Sequence, residues 1–320
     1  MRYVIIGGSA AAIGCIEGVR SVDKTGEIIL ITGETEWNYS RPLISYLLEG
    51  KTTRDKMWCR PDSFFTRNGV TVKAGVLATT LDAGDRTVRL STGERLAYDR
   101  LLAATGSRPF VPPIPGLETV ERTFCFQTLS DASALAEALR PESRVLILGA
   151  GLTGVKCAEG IRGLCAQIAI ADLAPRVLPA VLDDTGAAMV QARMEEKGVR
   201  FYLNDSAAAF RGNTARLQSG TELEFDVLVT AVGVRPNTQL VADAGGAVDR
   251  GILVDGRCAT TLPDVYAAGD CAQGYDAVSG EKRMLPLWPN AVLQGETAGI
   301  NMAGGRADYT QGIALNASGV

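Results

Sequence analysis

The chain has 320 residues and a formal net charge of −4, and it is 46% hydrophobic but only 6% aromatic, with 36 glycines and no histidine. That length suits two domains, and abundant glycine with few aromatics suits an α/β protein rich in tight turns. Mild acidity gives no electrostatic footprint for nucleic acid or an anionic membrane, no apolar run reaches the roughly 20 residues of a membrane helix, and the lack of histidine removes the commonest general base and zinc ligand, which points to a cofactor that carries the reaction.

The chain enters an apolar strand at once, without the basic and apolar regions of a signal peptide, so a cytoplasmic protein is expected. The opening "RYVIIGGSAAAIGC" reads as strand, small-residue turn and helix through Val19. Its turn is an incomplete dinucleotide fingerprint: Gly7, Ser9 and Ala12 stand at the G-x-G-x-x-G/A positions, with a side chain at the middle one. The next strand, "EIILITGE", ends at Glu34, near the distance at which a carboxylate meets the ribose hydroxyls. A serine hydroxyl bonding the pyrophosphate offsets the extra Cβ.

Short alternating segments follow, from "GVTVKAG" to "RLAYDRLLAAT", and are expected to form a β-meander. The proline-rich "SRPFVPPIPG" reads as a domain linker, since proline extends the chain and forbids helix. "RVLILGAGLTGVKCAEGIRG" then carries a complete fingerprint at Gly149, Gly151 and Gly154, with Leu152 and Thr153 inside the turn. Its glycines allow the tight turn, the approach of pyrophosphate and helix-on-strand packing, and the helix N-terminus offers free N–H groups. The following strand ends at Asp172, about 20 residues on, which favours NAD over NADP, with Arg176 nearby as the opposing signal. A helix over 187–197, more alternating strands up to "FDVLVTAVGVRPN" and a last helix over 289–302 complete the pattern. The seven cysteines, Cys15, Cys59, Cys125, Cys157, Cys165, Cys258 and Cys271, include no C-x-x-C, so neither a disulfide framework nor a metal site is expected.

Together "IIGGSAAA", "NYSRPLISYLLEGK", "YDRLLAATGSRP", "GAGLTG", "AVGVRPN", "TTLPDVYAAGDCA" and "LPLWPNAVLQG" resemble the pyridine nucleotide-disulfide oxidoreductase superfamily, most of all its NADH:rubredoxin oxidoreductase and nitrite-reductase flavin branch. The resemblance implies two Rossmann-like domains, the NAD domain inserted in the FAD domain: residues 1–112 and 244–310 for FAD, 113–243 for NAD, and 311–320 as the stub of an interface domain. It implies FAD contacts at Gly7, Ser9, Ala10, Ala12, Glu34, Arg41, Pro42, Ala104, Thr105, Gly106, Gly269, Asp270, Pro289 and Asn290, and NAD(H) contacts at Gly149, Gly151, Leu152, Thr153, Gly154, Asp172 and Gly233, with NADP(H) disfavoured. Trp288 stands as an even choice between flavin contact and packing.

No catalytic side chain is required by this resemblance: nicotinamide C4 within about 3.5 Å of flavin N5 transfers hydride directly, and the last helix's positive end stabilises the reduced ring. The redox cysteine of related disulfide reductases is missing, with Arg41 near its place. Electrons are therefore expected to leave for a small carrier such as rubredoxin or ferredoxin, or for a larger redox complex; dioxygen reduction as an NADH oxidase and a non-catalytic sensor are the alternatives. Residues 51–67, with five basic side chains against two acidic ones, form a candidate docking stretch for an acidic carrier. A homodimer is expected where the interface domain is complete, and otherwise a shortened protein or a partner chain that supplies the cover.

Overall fold

Continuous apolar strands that alternate Val, Ile and Leu without polar interruption are buried on both faces, which is the condition of a parallel sheet covered on each side. In the computed structural model, which describes residues 1–310 and 312–315, two such sheets form in two separately packed units. Among the described residues, the first unit comprises Met1–Ser40, Trp58–Ser107 and the chain from Pro236 to 315; the second comprises Arg41–Met57 and Arg108–Arg235.

In the first unit the strands run in the order Val265–Ala267, Arg100–Ala103, Arg2–Ile6, Glu27–Thr32 and Val70–Ala74, all parallel. Alternation along each strand divides the core. Tyr3, Ile5, Ile28, Leu30 and Leu102 face the helices Ala10–Val22 and Trp288–Met302, while Val4, Ile6, Ile29, Ile31 and Leu101 meet Leu81, Val88 and Leu90. Burying each such aliphatic side chain contributes about 1.5–3 kcal/mol.

Two expected elements differ: "RLLA", expected to close the meander, is the inner parallel strand Arg100–Ala103, paired with Arg2–Ile6 and Val265–Ala267. "GVTVKAG" does not open the meander; its strand Val70–Ala74 is the outer strand of the parallel sheet, with Val70 opposite Ile28 and Val72 opposite Leu30. Its alternating pattern reflects the half-exposure of an edge strand rather than a hairpin. The antiparallel meander is Ala78–Asp82, Thr87–Leu90 and Arg95–Ala97.

Within this unit the helices Ala10–Val22 and Trp288–Met302 approach unusually closely. A Cβ on Gly14 would lie 2.2 Å from the Val292 carbonyl oxygen, and one on Gly18 would lie 2.2 Å from that of Glu296. Reciprocally, a Cβ on Gly295 would lie 2.0 Å from the Ala11 carbonyl oxygen and one on Gly299 2.2 Å from that of Cys15. The pairs advance in the same direction on both helices, so the helices are parallel and their N-terminal ends, at Ala10 and Trp288, lie at the same end.

The second unit repeats the parallel sheet in the order Val199–Leu203, Gln167–Asp172, Arg144–Leu148, Val227–Thr230 and Thr123–Phe124. Leu146, Leu148 and Leu228 pack with Phe210 and Phe225, whose rings meet edge to face at 5.9 Å. The helix expected over 187–197 begins earlier, at Asp184, because Asp183 caps it by accepting from the Gly186 N–H at 2.8 Å. The chain passes between the units at Ser40–Arg41, at Met57–Trp58, at Ser107–Arg108, inside the proline-rich stretch, and at Arg235–Pro236. Of the expected 311–320 stub, only 312–315 lie within the described residues, and there Gly312 bridges Asp276.

Candidate functional site

Each sheet ends in a glycine turn and a helix, and the two turns are superposable in kind. Gly7 has φ +118° and Gly149 φ +109°, and each donates its N–H to the neighbouring strand, to Ile31 at 2.7 Å and Ala171 at 2.8 Å. Neither position admits a side chain: a Cβ would stand 2.0 Å from the Ala104 oxygen in the first loop and 2.4 Å from the Ala231 oxygen in the second. At the middle position, Ser9 (φ −102°, ψ −157°) and Gly151 (φ −74°, ψ −178°) are both extended helix caps. The conformation therefore does not demand glycine there, and serine takes it without strain. Neither cap residue bonds the helix end through a side chain, which leaves the N-terminal donors directed at the position a phosphate would take.

The third position separates the loops. A Cβ on Gly154 would meet the Gly149 oxygen at 1.9 Å, whereas the first loop holds Ala12 with its side chain buried. At Gly151 a Cβ would meet nothing within 4 Å. That open cradle beside the bare helix end, which starts at Leu152 and Thr153, fits a pyrophosphate.

Both acids are oriented. Glu34 accepts the Tyr39 hydroxyl at 2.7 Å. Asp172 is fixed more firmly, its two oxygens accepting the Ala150 N–H at 2.6 Å and the Ala174 N–H at 2.7 Å. Each Asp172 oxygen retains acceptor capacity for a ribose hydroxyl. Gly233 has φ +115° with open space at its Cβ, and its carbonyl accepts the Phe110 N–H at 2.9 Å.

Other residues gather around the first loop. Thr105 donates its hydroxyl to the Asn237 carbonyl at 2.6 Å, and Asn237 returns two bonds, from Nδ2 to the Thr105 carbonyl and from its N–H to the Gly106 carbonyl, both at 2.9 Å. Gly269 (φ +80°) donates to Gln294 Oε1 at 2.7 Å and sits against Ala11 and Ala291, between the first turns of the two parallel helices; Asp270 accepts the Ser107 hydroxyl at 3.2 Å. Asn290, behind Pro289 in the last helix, is buried and donates to the Ile313 carbonyl at 2.9 Å. Trp288 packs against the core on the helix side of the sheet. Arg41 and Pro42 belong to the second unit, where Arg41 donates to the Gln127 carbonyl at 3.1 Å.

Sequence reading missed Asn237 and Gln294, although both lie in quoted motifs, Asn237 closing "AVGVRPN" and Gln294 standing one residue before the end of "LPLWPNAVLQG". It also missed a cavity of about 450 Å³ lined by Trp37, Asn38, Trp58 and Arg60, with Trp37 standing over Gly8. Asn38 is held at φ 65° and donates to the Arg60 carbonyl at 2.6 Å, while its buried Oδ1 has no partner among the described residues. No spacing rule points to an asparagine in that position.

Five of the thiols are poorly suited to redox relay. Cys15, Cys157, Cys258 and Cys271 are buried, and burial raises the pKa of each; for Cys258 it reaches about 12. Half-buried Cys59 is pushed up to about 11 by the same desolvation. A thiol nucleophile needs the opposite shift. The basic stretch 51–67 is divided between the two units, and part of its charge is matched internally: Lys51 pairs with Glu49 at 2.7 Å and Arg60 with Glu17 at 2.8 Å.

The family profile described as pyridine nucleotide-disulphide oxidoreductase matches residues 1–295. The chain belongs to this family. Among its relatives, the NADH-dependent phenylglyoxylate dehydrogenase subunit epsilon of Aromatoleum evansii is 33% identical over 98% of this chain and 76% of its own length. The assimilatory nitrate reductase electron transfer subunit of Bacillus subtilis is 30% identical over 99% of this chain, which spans only 41% of that protein. The crystal structure of the covalent putidaredoxin reductase–putidaredoxin complex superposes with a TM-score of 0.88 at 26% identity, covering 95% of this chain and 76% of that one. This oxidoreductase thus carries the family's paired turns, and among the described residues no helix is long and apolar enough to cross a membrane.

Proposed function

We propose that the chain is an FAD-dependent NADH oxidoreductase that delivers electrons to a redox protein, either a small carrier such as a rubredoxin or ferredoxin or a companion subunit. The observation that carries this reading is the duplication of one arrangement: a glycine turn, an uncapped helix end and an oriented acid on each of two parallel sheets. The relatives support the same reading, since one is named a subunit of an NADH-dependent dehydrogenase, one an electron transfer subunit, and one solved structure is a reductase joined to putidaredoxin.

In this reading the first unit holds FAD. The N–H groups at Ala10 and Ala11 and the Ser9 hydroxyl bind the pyrophosphate, Glu34 the adenosine ribose, and Asp270 the ribitol, with Asn237 bracing the Ala104–Gly106 turn. The positive ends of two parallel helices converge on this region, and they favour an anionic ligand. The second unit holds NADH through Gly149, Gly151, Gly154 and Asp172. Bound FAD supplies the two-electron to one-electron conversion that links a nicotinamide to a single-electron carrier. The chain's own part is to bind and orient both nucleotides.

Purified protein should be yellow, or become so with added FAD, and should bleach within seconds of anaerobic mixing with NADH. Reoxidation by a rubredoxin or ferredoxin, faster than by air, is the expected sequel; rapid reoxidation by air alone would make it an NADH oxidase. Protein that stays colourless in excess FAD would end the reading.

A further inference from the structure

The loop that follows the second ribose acid, residues 173–182, carries a single cation, Arg176. An arginine shortly after such an acid is the residue type that accommodates the 2′-phosphate of NADP, through charged hydrogen bonds. Here the guanidinium is engaged elsewhere. Its Nε donates to the Leu182 carbonyl at 3.2 Å and its Nη1 to Asp184 Oδ1 at 2.9 Å. The Leu182 carbonyl belongs to a turn with its own bonds, in which the Val181 and Leu182 N–H groups donate to the Leu178 carbonyl at 2.9 and 3.0 Å. Leu178 in turn donates to the Ala150 carbonyl at 2.8 Å, inside the glycine loop. Arg176 is thus held against a turn anchored on the loop that receives the pyrophosphate.

Asp184 is not required to start its helix. The cap is Asp183, which accepts the Gly186 N–H, and the Asp184 side chain is 91% exposed. What Asp184 does is occupy Arg176. We propose that Asp184 is a positioning residue for nucleotide choice: by pairing with Arg176 it withholds the loop's one cation from a 2′-phosphate, adding to the repulsion from Asp172 and restricting the site to NAD(H). This rests on the reading that the second unit binds a nicotinamide dinucleotide.

The test is calorimetric titration of the full-length, FAD-loaded protein with NAD⁺ and with NADP⁺, in wild type, Asp184→Asn, Arg176→Ala and the double variant. Asp184→Asn should tighten NADP⁺ about fivefold, the scale of one partly exposed charge pair, and change NAD⁺ by less than about twofold. Arg176→Ala alone should leave the weak NADP⁺ affinity where it is, and in the Asp184→Asn background it should erase the gain. A gain that persists in the double variant would overturn the proposal, because the lost negative charge and not the freed guanidinium would then be responsible. No gain in Asp184→Asn, or equal changes for both nucleotides, would overturn it as well. Wild-type protein that binds neither nucleotide would instead refute the underlying dinucleotide reading, and is recognisable before any variant is made.

Discussion

Cys59 is a neighbour in sequence of the segment around Arg41, where the resemblance implies a redox thiol and none stands, and burial decides its chemistry. Desolvation of the thiolate outweighs the attraction of the Arg60 guanidinium and raises the thiol to about 11. At pH 8 only about a thousandth of it is thiolate, so alkylation by iodoacetamide should climb about tenfold per pH unit between pH 8 and 10, without the plateau an ordinary thiol shows. Mass spectrometry of the Cys59 peptide across a pH series measures this. Replacement by serine should leave NADH-driven reduction of a one-electron acceptor within about twofold of wild type, since no electron passes through that sulfur. A plateau near pH 8, or loss of turnover in Cys59→Ser, would restore a thiol step. Ser9 teaches the complementary lesson: a side chain at a position usually given to glycine is harmless because the backbone there is extended.

Between elements, the decisive contact is the glycine seam of the helices Ala10–Val22 and Trp288–Met302. A methyl on Gly295 would press on the Ala11 carbonyl at 2.0 Å, in a contact between two backbones that cannot yield as a side chain could. Gly295→Ala should cost about 1–3 kcal/mol through overpacking, lower the thermal midpoint and weaken FAD retention, because both helix ends that converge on the cofactor region must shift. Gly163→Ala, where a Cβ meets nothing within 4 Å, serves as the control and should change stability by less than about 0.5 kcal/mol. Equal melting of the two variants would show the seam to be slack. The individual strands, turns and acids were legible in the sequence because each follows a local period or spacing. The seam was not, since Gly14 and Gly295 are far apart in the chain and each alone reads as a weak helix residue. The same holds for Val70–Ala74, whose alternation specifies a half-exposed strand but not its partner, and for Asn38, Asn237 and Gln294, whose partners come from distant segments.

At the scale of the molecule, the two units have separate cores and separate glycine loops, so the two nucleotides should be separable by mutation. Gly151 is the cleanest probe. Its φ of −74° is ordinary for any residue and a Cβ there meets nothing within 4 Å, so Gly151→Val should fold and melt like wild type. The same branched side chain would fill the cradle proposed for the pyrophosphate and should weaken NADH binding by at least about tenfold, the cost of misplacing a phosphate against its N–H donors. The first unit is untouched, so the variant should keep its FAD and its visible spectrum while bleaching only at much higher NADH. Dithionite should still reduce it, and the reduced protein should pass electrons to the carrier at the wild-type rate. Protein that loses its colour along with its NADH response would mean that one shared site, rather than two independent grips, underlies the reaction.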